Sequence, residues 1–251
     1  MQTIGIMAAV QGEIAALLEK METVTVTRIG MRDYHQGVLH GRPCVVVLAR
    51  MGKVAAAATA VTLIREFGVQ SVLFAGLAGG IAATTRIGDV VVGTTLLQHD
   101  LDASPLFPRH EIPLLALSHI EADPELSGLL CQAAQDYLAF DWEHEIPVTT
   151  RQAFRLSVPQ VHQGLIASGD QFVSSADAAE ALRKRLPEVL CVEMEGAAVA
   201  QICHEYGVPF AILRTVSDRA DDDASHDFNS FLTQVASHYS AGILGRTISL
   251  L

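Results

Sequence analysis

The sequence has little positive charge. Only 17 of its 251 residues are Lys or Arg, against 28 that are Asp or Glu, so the formal net charge is −11 at pH 7. A chain of this sign is repelled by the phosphate backbone of a nucleic acid. We therefore expect no nucleic-acid partner.

Long apolar runs are also missing. Half of the residues are hydrophobic and 18% are charged, which is typical of a globular rather than a disordered chain. No uncharged apolar run approaches the roughly 20 residues that a membrane helix needs, so we expect no membrane partner. The first segment, MQTIGIMAAVQGE, lacks the basic region of a signal or transit peptide, and we expect a cytoplasmic location.

Cysteine is scarce and unpaired. The four cysteines lie far apart among apolar neighbours and form no C-x-x-C pair: Cys44, Cys131, Cys191 and Cys203. This pattern indicates reduced residues of the core. A chain of this length can bury a substantial core without disulfides.

The common cofactor and metal motifs are absent. Gly76 to Gly80 lacks the G-x-G-x-x-G spacing of dinucleotide-binding proteins, and Val54 follows Gly52-Lys53 where a P-loop needs Ser or Thr. No H-E-x-x-H, zinc-ligand spacing or G-x-S-x-G motif occurs. Asp221 to Asp223 lacks the glycine and distal Glu of a calcium loop, and predicts a solvated loop that caps the last helix. We expect neither a metal nor a cofactor.

Apolar runs of strand length alternate with stretches of helical period, a pattern that predicts an α/β fold. We expect strands at 3–8, 24–29, 34–39, 44–48, 71–75, 89–97, 164–168, 189–193 and 209–216. Helical periods occur at 12–21, 54–67, 124–140, 176–186, 196–206 and 228–244. Several strands are apolar on both faces, so helices should cover both sides of the sheet, and the strands between 24 and 48 should form an antiparallel meander. The sequence predicts one three-layer α/β/α domain over residues 1–251 with a central mixed, twisted sheet.

Two long segments have no clear period. They span 100–123 and 141–163 and contain several prolines. Such segments are either functional lids and contact loops or short elements that the pattern does not reveal.

Polar residues follow five of the predicted strands. They are Glu13, the glycines from Gly76 to Gly80, Gly169 to Phe172, Glu193 to Glu195, and Thr215 to Asp218, which come directly after Arg214. Ligands of open α/β sheets gather at the carboxyl ends of strands. We therefore expect these five strand ends to meet at one polar site.

Each of these residues also has a structural interpretation. Glu13 could cap a helix or interact with its dipole, and Arg214 could form a structural ion pair. Glu193 and Glu195 favour function, because they share one face of an extended segment and ionised carboxylates are costly in an apolar strand unless paired or solvated.

Seven segments together resemble the nucleoside phosphorylase superfamily, and most closely its hydrolytic branch, the 5′-methylthioadenosine/S-adenosylhomocysteine nucleosidases. They cover nearly the whole chain and read IGIMAAVQGEI from Ile4, MGKVAAA from Met51, AGLAGG from Ala75, IGDVVV from Ile87, SGDQFV from Ser168, VEMEGAAVA from Val192 and RTVSDRAD from Arg214. The resemblance implies a nucleoside phosphorylase-like fold, a nucleoside substrate and water as the second reactant.

The resemblance also implies roles for single residues. Asp218 matches the general acid that protonates N7 of adenine, Ser217 is its positioning neighbour, and Glu13 matches the carboxylate that activates water. Glu195 matches the residue that binds the 2′- and 3′-hydroxyls of ribose. The remaining implied substrate-site positions are Val10, Met51, Ala78, Gly79, Phe172, Val173, Glu193, Met194, Arg214 and Phe228. Among them Met194 packs against the sugar, Arg214 supports the water network, Phe172 stacks on adenine, the backbone of Val173 reads the purine edge, and Phe228 lies near the 5′ end.

These residue types suit cleavage of an N-ribosidic bond, in which the sugar gains positive charge and the departing base gains negative charge. A protonated Asp218 would neutralise the base, which requires a raised carboxyl pKa. An ionised Glu13 would deprotonate water on the opposite face, as the base of inverting O-glycosidases does. Glu195 can accept from both ribose hydroxyls.

Alternatives remain for the reaction, the substrate and the assembly. A phosphorylase of the same fold would use phosphate, although Leu77 and Val10-Gln11-Gly12 stand where phosphate-binding groups belong, and a noncatalytic nucleoside binder would need no acid and base. Candidate substrates are methylthioadenosine, S-adenosylhomocysteine, 5′-deoxyadenosine and 6-amino-6-deoxyfutalosine. Segment 101–113 stands where one subunit of the family reaches over its neighbour's pocket, which implies a homodimer if Leu106 or Phe107 caps the partner's site.

Overall fold

The strands of the computed structural model form one mixed sheet. The structure describes residues 2–221 and 223–251, without the side chain of His226. In these residues the strands are β1 (Ile4–Ala8), β2 (Glu22–Ile29), β3 (Arg32–Leu39), β4 (Arg42–Leu48), β5 (Ser71–Gly80), β6 (Val90–Gln98), β7 (His119–Glu121), β8 (Val161–Ser168), β9 (Val189–Glu193) and β10 (Phe210–Asp218). The helices are α1 (Gln11–Glu19), α2 (Lys53–Glu66), α3 (Pro124–Phe140), α4 (Trp142–Glu145), α5 (Val148–Ala153), α6 (Ala176–Arg185), α7 (Gly196–Tyr206), α8 (Ala224–Gln234) and α9 (Ala236–Leu250).

The sheet closes on itself at one end. Its order is β10-β6-β8-β9-β5-β1-β4-β3-β2, β7 pairs with β6, and a further pairing joins β10 to β5, so β5, β10, β6, β8 and β9 form a ring. The strands β4, β1, β5 and β10 are parallel neighbours, as are β6, β8 and β9. The β10–β6 and β5–β9 pairs are antiparallel, and β2, β3 and β4 form the predicted meander. The prediction of a mixed sheet is confirmed.

Helices cover both faces of the sheet, as predicted. Along β1, Ile4 and Ile6 point into a core shared with α1, α3, α8 and α9, whereas Met7 belongs to the core under α2 and α7. Successive side chains of a strand face opposite sides, so a strand buried between two helical layers needs apolar residues at every position. The three-layer α/β/α arrangement therefore follows from the two-sided apolarity of the strands.

The glycine-rich segment lies within the sheet. We expected the strand to end at residue 75, but β5 continues to Gly80, where Gly79 and Gly80 pair with Val192 and Cys191 of β9 and the preceding residues pair with β10. The predicted strand end was wrong because glycine is generally depleted from strands. Here the pairing with two neighbouring strands outweighs that preference.

Both irregular segments contain short elements. Segment 100–123 includes β7, and segment 141–163 includes α4 and α5. The predicted helix over 228–244 is instead two helices, because Val235 has φ −132° and ends α8. The sequence has no glycine or proline there to mark the break, and elements of three to six residues are too short to show a period.

The predicted capping loop before the last helices is partly described. Asp223 stands at the N-cap position of α8, but its side chain makes no capping hydrogen bond. Asp222 lies outside the described residues.

The four cysteines are buried and none forms a disulfide, which confirms their predicted place in the core. Among the described helices, none is long and apolar enough to cross a membrane.

Helix α9 packs closely on α3 at Gly242. A Cβ atom at this position would lie 2.3 Å from Cε2 of Tyr137, whose side chain is fully buried. By contrast, a Cβ atom at Gly128 of α3 would have no atom within 4 Å. The two positions therefore differ in packing although both lie inside helices.

Gly242→Ala should lower the free energy of unfolding by about 1–3 kcal/mol, because the added methyl group overpacks the contact between α3 and α9. The matched variant Gly128→Ala should raise it by up to about 1 kcal/mol, because alanine favours an exposed helix interior. Urea unfolding of both variants tests this pair, and equal stability of the two would contradict the close packing at Gly242.

Candidate active site

A cavity of about 350 Å³ opens at the carboxyl ends of β1, β5, β9 and β10 and the loop after β8. These are the five strand ends that the sequence predicts to converge. The parallel order of β1, β5 and β10 brings three of them to one edge of the sheet, and the ring closure brings β8 and β9 to the same place.

The cavity brings together most of the predicted site residues. From the predicted set it is lined by Val10, Glu13, Met51, Ala78, Gly79, Phe172, Val173, Glu193, Met194, Glu195, Asp218 and Phe228. Ser217 and Arg214 lie behind the lining and reach it through hydrogen bonds to Asp218 and Glu193.

Other lining residues are absent from the predicted set. They are Ala9, Leu77, Gln171, Val192, Ser225 and Asn229. Most of them adjoin a predicted residue in the sequence. Ser225 and Asn229 are separated from each other by one helical turn and flank Phe228, so the face of α8 that carries Phe228 also brings them to the cavity.

Glu13 is both a helix-terminal carboxylate and a cavity residue. Its Oε2 accepts hydrogen bonds from the N–H groups of Ala9 at 2.8 Å and Val10 at 2.9 Å, and its Oε1 accepts from Leu77 N–H at 3.0 Å. Glu13 therefore does cap the start of α1, as its structural interpretation predicts, and it also faces the cavity. Burial raises the pKa of Glu13 above its ordinary value, against the opposing effect of these N–H donors and of Arg214.

Gly76 leaves room for two charged groups. A Cβ atom at this position would lie 2.9 Å from Oε1 of Glu13 and 3.0 Å from Nη1 of Arg214. Any larger residue would displace one of them. The absence of a side chain at Gly76 therefore lets the carboxylate and the guanidinium face the same point of β5.

Arg214 forms the buried ion pair that the sequence leaves open. Its side chain is 1% exposed, and its Nη2 and Nε donate to Oε2 of Glu193 at 2.6 and 3.2 Å. The guanidinium also lies 4.1 Å from the ring centroid of Phe74. Glu193 is held further by the hydroxyl of Ser168 and by Gly196 N–H at 2.8 Å. This network fixes Glu193 at the end of β9.

The carboxylate of Glu195 has fewer hydrogen-bond donors around it than the carboxylate of Glu193. Its Oε1 accepts from Gly52 N–H at 2.8 Å, and its Oε2 lies 3.9 Å from Nη2 of Arg214. Burial and the charge of Glu193 raise the pKa of Glu195, while Arg214 and the Gly52 N–H oppose the rise. Hydroxyl donors in the cavity would favour the ionised form of this carboxylate.

Asp218 is a buried carboxyl group with two hydrogen-bond partners. Its Oδ2 accepts from the Ser217 hydroxyl at 2.8 Å and its Oδ1 accepts from Ala220 N–H at 2.8 Å. Burial raises the pKa of Asp218 to about 6, although both hydrogen bonds oppose the rise. Asp218 is therefore about half protonated near pH 6, and roughly a tenth of it still holds a proton at pH 7. A Cβ atom at Gly79 would lie 2.9 Å from its Oδ1, so β5 also needs a glycine here.

Two aromatic rings flank the cavity. The rings of Phe172 and Phe228 are 5.7 Å apart at 77°, and Phe172 remains 44% exposed. An exposed apolar ring at a cavity offers a face on which a planar base can stack.

The ionisable side chains that line the cavity are acidic. Among its described lining residues there are carboxylates but neither Lys nor Arg, and Arg214 behind them is engaged by Glu193. Such a site stabilises positive charge that develops in a ligand and disfavours an anion. The described residues contain no group of three His, Cys, Asp or Glu side chains arranged to hold a metal ion.

Comparison with known proteins places the chain in one family. The matching family model, described as the phosphorylase superfamily, spans residues 3–249. The aminodeoxyfutalosine nucleosidase of Helicobacter pylori strain J99 is 37% identical over 246 residues, which cover 97% of each chain. The 5′-methylthioadenosine/S-adenosylhomocysteine nucleosidase of Shewanella putrefaciens is 32% identical over 236 residues, 94% of each chain.

A solved structure confirms the predicted nucleoside phosphorylase-like fold. The 5′-methylthioadenosine/S-adenosylhomocysteine nucleosidase of Neisseria meningitidis, in complex with methylthio-immucillin-A, matches all of both chains with a TM-score of 0.88 at 34% identity. Since the family model and these relatives cover nearly its whole length, the chain belongs to the phosphorylase superfamily.

Proposed function

We propose that this N-glycosyl hydrolase cleaves the N-ribosidic bond of 5′-substituted adenosines and releases adenine, with Asp218 as the general acid and Glu13 as the base that activates water. One observation carries the proposal. Glu13 and Asp218 are buried carboxyl groups that come from different strand ends and line the same cavity. Glu13 accepts from three backbone N–H groups, whereas Asp218 accepts from one hydroxyl and one backbone N–H.

Asp218 has the environment of an acid. Its pKa of about 6 lies close to the working pH of a cytoplasmic enzyme, where a carboxyl group can both hold a proton and give it up. Protonation of the base turns adenine into a neutral leaving group. Such a proton transfer typically contributes about 10²- to 10⁴-fold in rate.

Glu13 has the environment of a carboxylate that must stay in place. Three backbone N–H groups donate to its two oxygens, and these bonds favour the ionised form. The raised pKa of Glu13 also makes the carboxylate a better proton acceptor than an exposed glutamate. It can therefore orient a water molecule and take its proton as the sugar becomes positive.

The remaining lining residues suit a nucleoside. Glu195 has one oxygen held by Gly52 N–H and accepts from ribose hydroxyls with its remaining lone pairs. The exposed ring of Phe172 stacks on adenine, the backbone of Val173 reads the purine edge, and Met194 packs against the sugar.

Water suits this cavity better than phosphate as the second reactant. A phosphorylase must bind an anion, and phosphate sites normally use arginines and free backbone N–H groups. Leu77 N–H is occupied by Glu13, and Arg214 is occupied by Glu193. Ionised carboxylates at the cavity oppose the binding of phosphate further.

Methylthioadenosine and S-adenosylhomocysteine are the substrates that we propose first, since relatives named for them match 94% or more of the chain. A second candidate is 6-amino-6-deoxyfutalosine. The Helicobacter pylori relative carries that activity in its name, and Ser225 and Asn229 supply polar groups beside Phe228 that could bond to a polar 5′ substituent.

We also propose a cytoplasmic homodimer. Leu106 is 84% exposed and lies in segment 101–113, which the family resemblance places over a neighbouring subunit's pocket. Leu114, directly after this segment, is 90% exposed. Burial of such side chains against a second copy would remove apolar surface from water.

A substrate whose leaving group needs no protonation distinguishes the role of the acid from that of the base. Asp218→Asn should lower turnover of methylthioadenosine by at least about 100-fold, because the amide cannot act as an acid, yet it should still cleave a p-nitrophenyl riboside, whose leaving group needs no proton. Glu13→Gln should lose both activities by a similar factor, because both need the activated water. Steady-state rates with the two substrates test the assignment.

The matched control is Asp136→Asn, which makes the same chemical change on the distant helix α3 and should leave both activities unchanged. Near-normal hydrolysis of methylthioadenosine by Asp218→Asn, or of either substrate by Glu13→Gln, would contradict the respective role.

The pH profile tests the environment of Asp218. Its folded-state pKa is raised, and the active form is protonated, so kcat/KM should fall as pH rises through about 6. Ser217→Ala removes a donor that favours the carboxylate, which should move this alkaline limb upward by about 0.5–1 pH unit. Ser249→Ala, whose hydroxyl bonds within α9, should leave the limb in place, and a downward shift in Ser217→Ala would contradict the account.

The assembly is checked by light scattering at micromolar concentration. We expect the mass of a dimer, and Leu106→Glu should shift the population toward monomer because a charge at an apolar contact is costly to bury. A monomeric wild-type chain would overturn the proposed homodimer.

A further inference from the structure

Three charged residues form a closed ring beside the cavity without lining it. Nζ of Lys53 lies 2.6 Å from Oδ1 of Asp100, and Oδ2 of Asp100 accepts from Asp170 N–H at 2.9 Å. Oδ1 of Asp170 then accepts from the backbone N–H of Lys53 at 2.8 Å. The ring therefore begins and ends on Lys53, through its ammonium group at one side and its amide at the other.

The ring joins two loops that serve different parts of the proposed substrate. Gly52, directly before Lys53, donates its N–H to Glu195, the proposed ribose-binding carboxylate. Asp170 lies two residues before Phe172, the proposed base-stacking ring.

The members of the ring are held rather than free in solvent. The side chains of Lys53 and Asp100 are 17% and 22% exposed. Burial alone would raise the pKa of Asp100, but the hydrogen bonds from Lys53 and from Asp170 N–H keep it below its ordinary value. Gln98, whose Oε1 accepts from Nζ of Lys53 at 3.1 Å, is itself held by Gln201 at 2.7 Å. The ammonium group is thus fixed from two sides.

We propose that Lys53 is a positioning residue for the reaction: through Asp100 and Asp170 it sets the spacing between the ribose-binding carboxylate and the base-binding loop. The inference rests on the proposed function, since it assigns Glu195 and Phe172 to the two halves of a nucleoside. Lys53 itself does not touch the substrate.

The kinetic signature of such a residue differs from that of a catalytic one. The base ring and most of the ribose contacts are made in both the ground state and the transition state. Loss of their correct spacing weakens both states alike, which raises KM and leaves kcat nearly unchanged. A residue that only stabilised the fold would reduce the amount of active enzyme, which lowers the apparent kcat at constant KM.

The test uses Lys53→Met, which keeps the apolar stem and removes the ammonium group, and Asp100→Asn, which keeps an acceptor and removes the charge. Each should raise KM for the cleaved nucleoside about tenfold while kcat stays within about threefold. The double variant should raise KM no more than the single variant with the larger effect does, because both changes break the same ring.

The matched control is Arg246→Met. Arg246 pairs with Asp141 at 2.6 Å, with side-chain exposures of 34% and 33%, away from the cavity, and its loss should leave KM unchanged. An unchanged KM with a lower kcat in both Lys53→Met and Asp100→Asn would overturn the positioning role.

Adenine affinity, measured by calorimetry, separates this inference from the proposed function. Lys53→Met should bind adenine several-fold more weakly than the wild type, because Asp100, which accepts from Asp170 N–H, loses the ammonium group that fixes it. An unchanged adenine affinity would contradict the positioning role. If the wild-type chain cleaved none of the candidate nucleosides, the proposed function would be wrong. The difference in adenine affinity between the wild type and Lys53→Met would still test whether the ring positions the base-binding loop.

Discussion

The charge balance around Arg214 constrains the rest of the site. One buried guanidinium is bonded to Glu193, lies 3.9 Å from Glu195 and faces Glu13 across Gly76. One cation cannot neutralise three carboxylates. Burial raises the pKa of Glu13, and burial together with the charge of Glu193 raises the pKa of Glu195. A ribose ring that becomes positive supplies the missing counter-charge, whereas a phosphate ion would add to the excess. The proposed hydrolysis follows from this balance.

The sheet provides the geometry that the charges need. Parallel pairing of β1, β5 and β10 places Glu13 and Asp218 at one edge, and ring closure adds Glu193 at the end of β9 and Glu195 after it. Gly76 and Gly79 allow these groups to approach the backbone of β5. The ring through Lys53 then holds the loops that the strands do not fix. Strand pairing therefore positions the proposed acid and base, and loop contacts position the groups proposed to bind the nucleoside.

Much of the fold could be predicted from the sequence because the strands are apolar on both faces and the intervening helices are long enough to show their period. The convergence of the strand ends could be expected from the polar residues that follow them. The roles proposed for Glu13 and Asp218 rest on the family resemblance, since an acidic residue after a strand has a structural interpretation too.

Other features depend on tertiary contacts that no local pattern reveals. The continuation of β5 to Gly80 requires two neighbouring strands, and the N–H of Leu77 becomes a partner of Glu13 only after β1 and β5 have paired. The ring from Lys53 to Asp170 joins residues 117 positions apart. Short elements such as β7 lack the length that a period needs.

The central claim is that water, and not phosphate, attacks the sugar. The most direct test is to incubate the purified protein with methylthioadenosine, with and without phosphate, and to follow adenine and the sugar by chromatography. We predict release of adenine and free methylthioribose at the same rate in both buffers. Adenine release that requires phosphate and yields a sugar 1-phosphate would contradict the account.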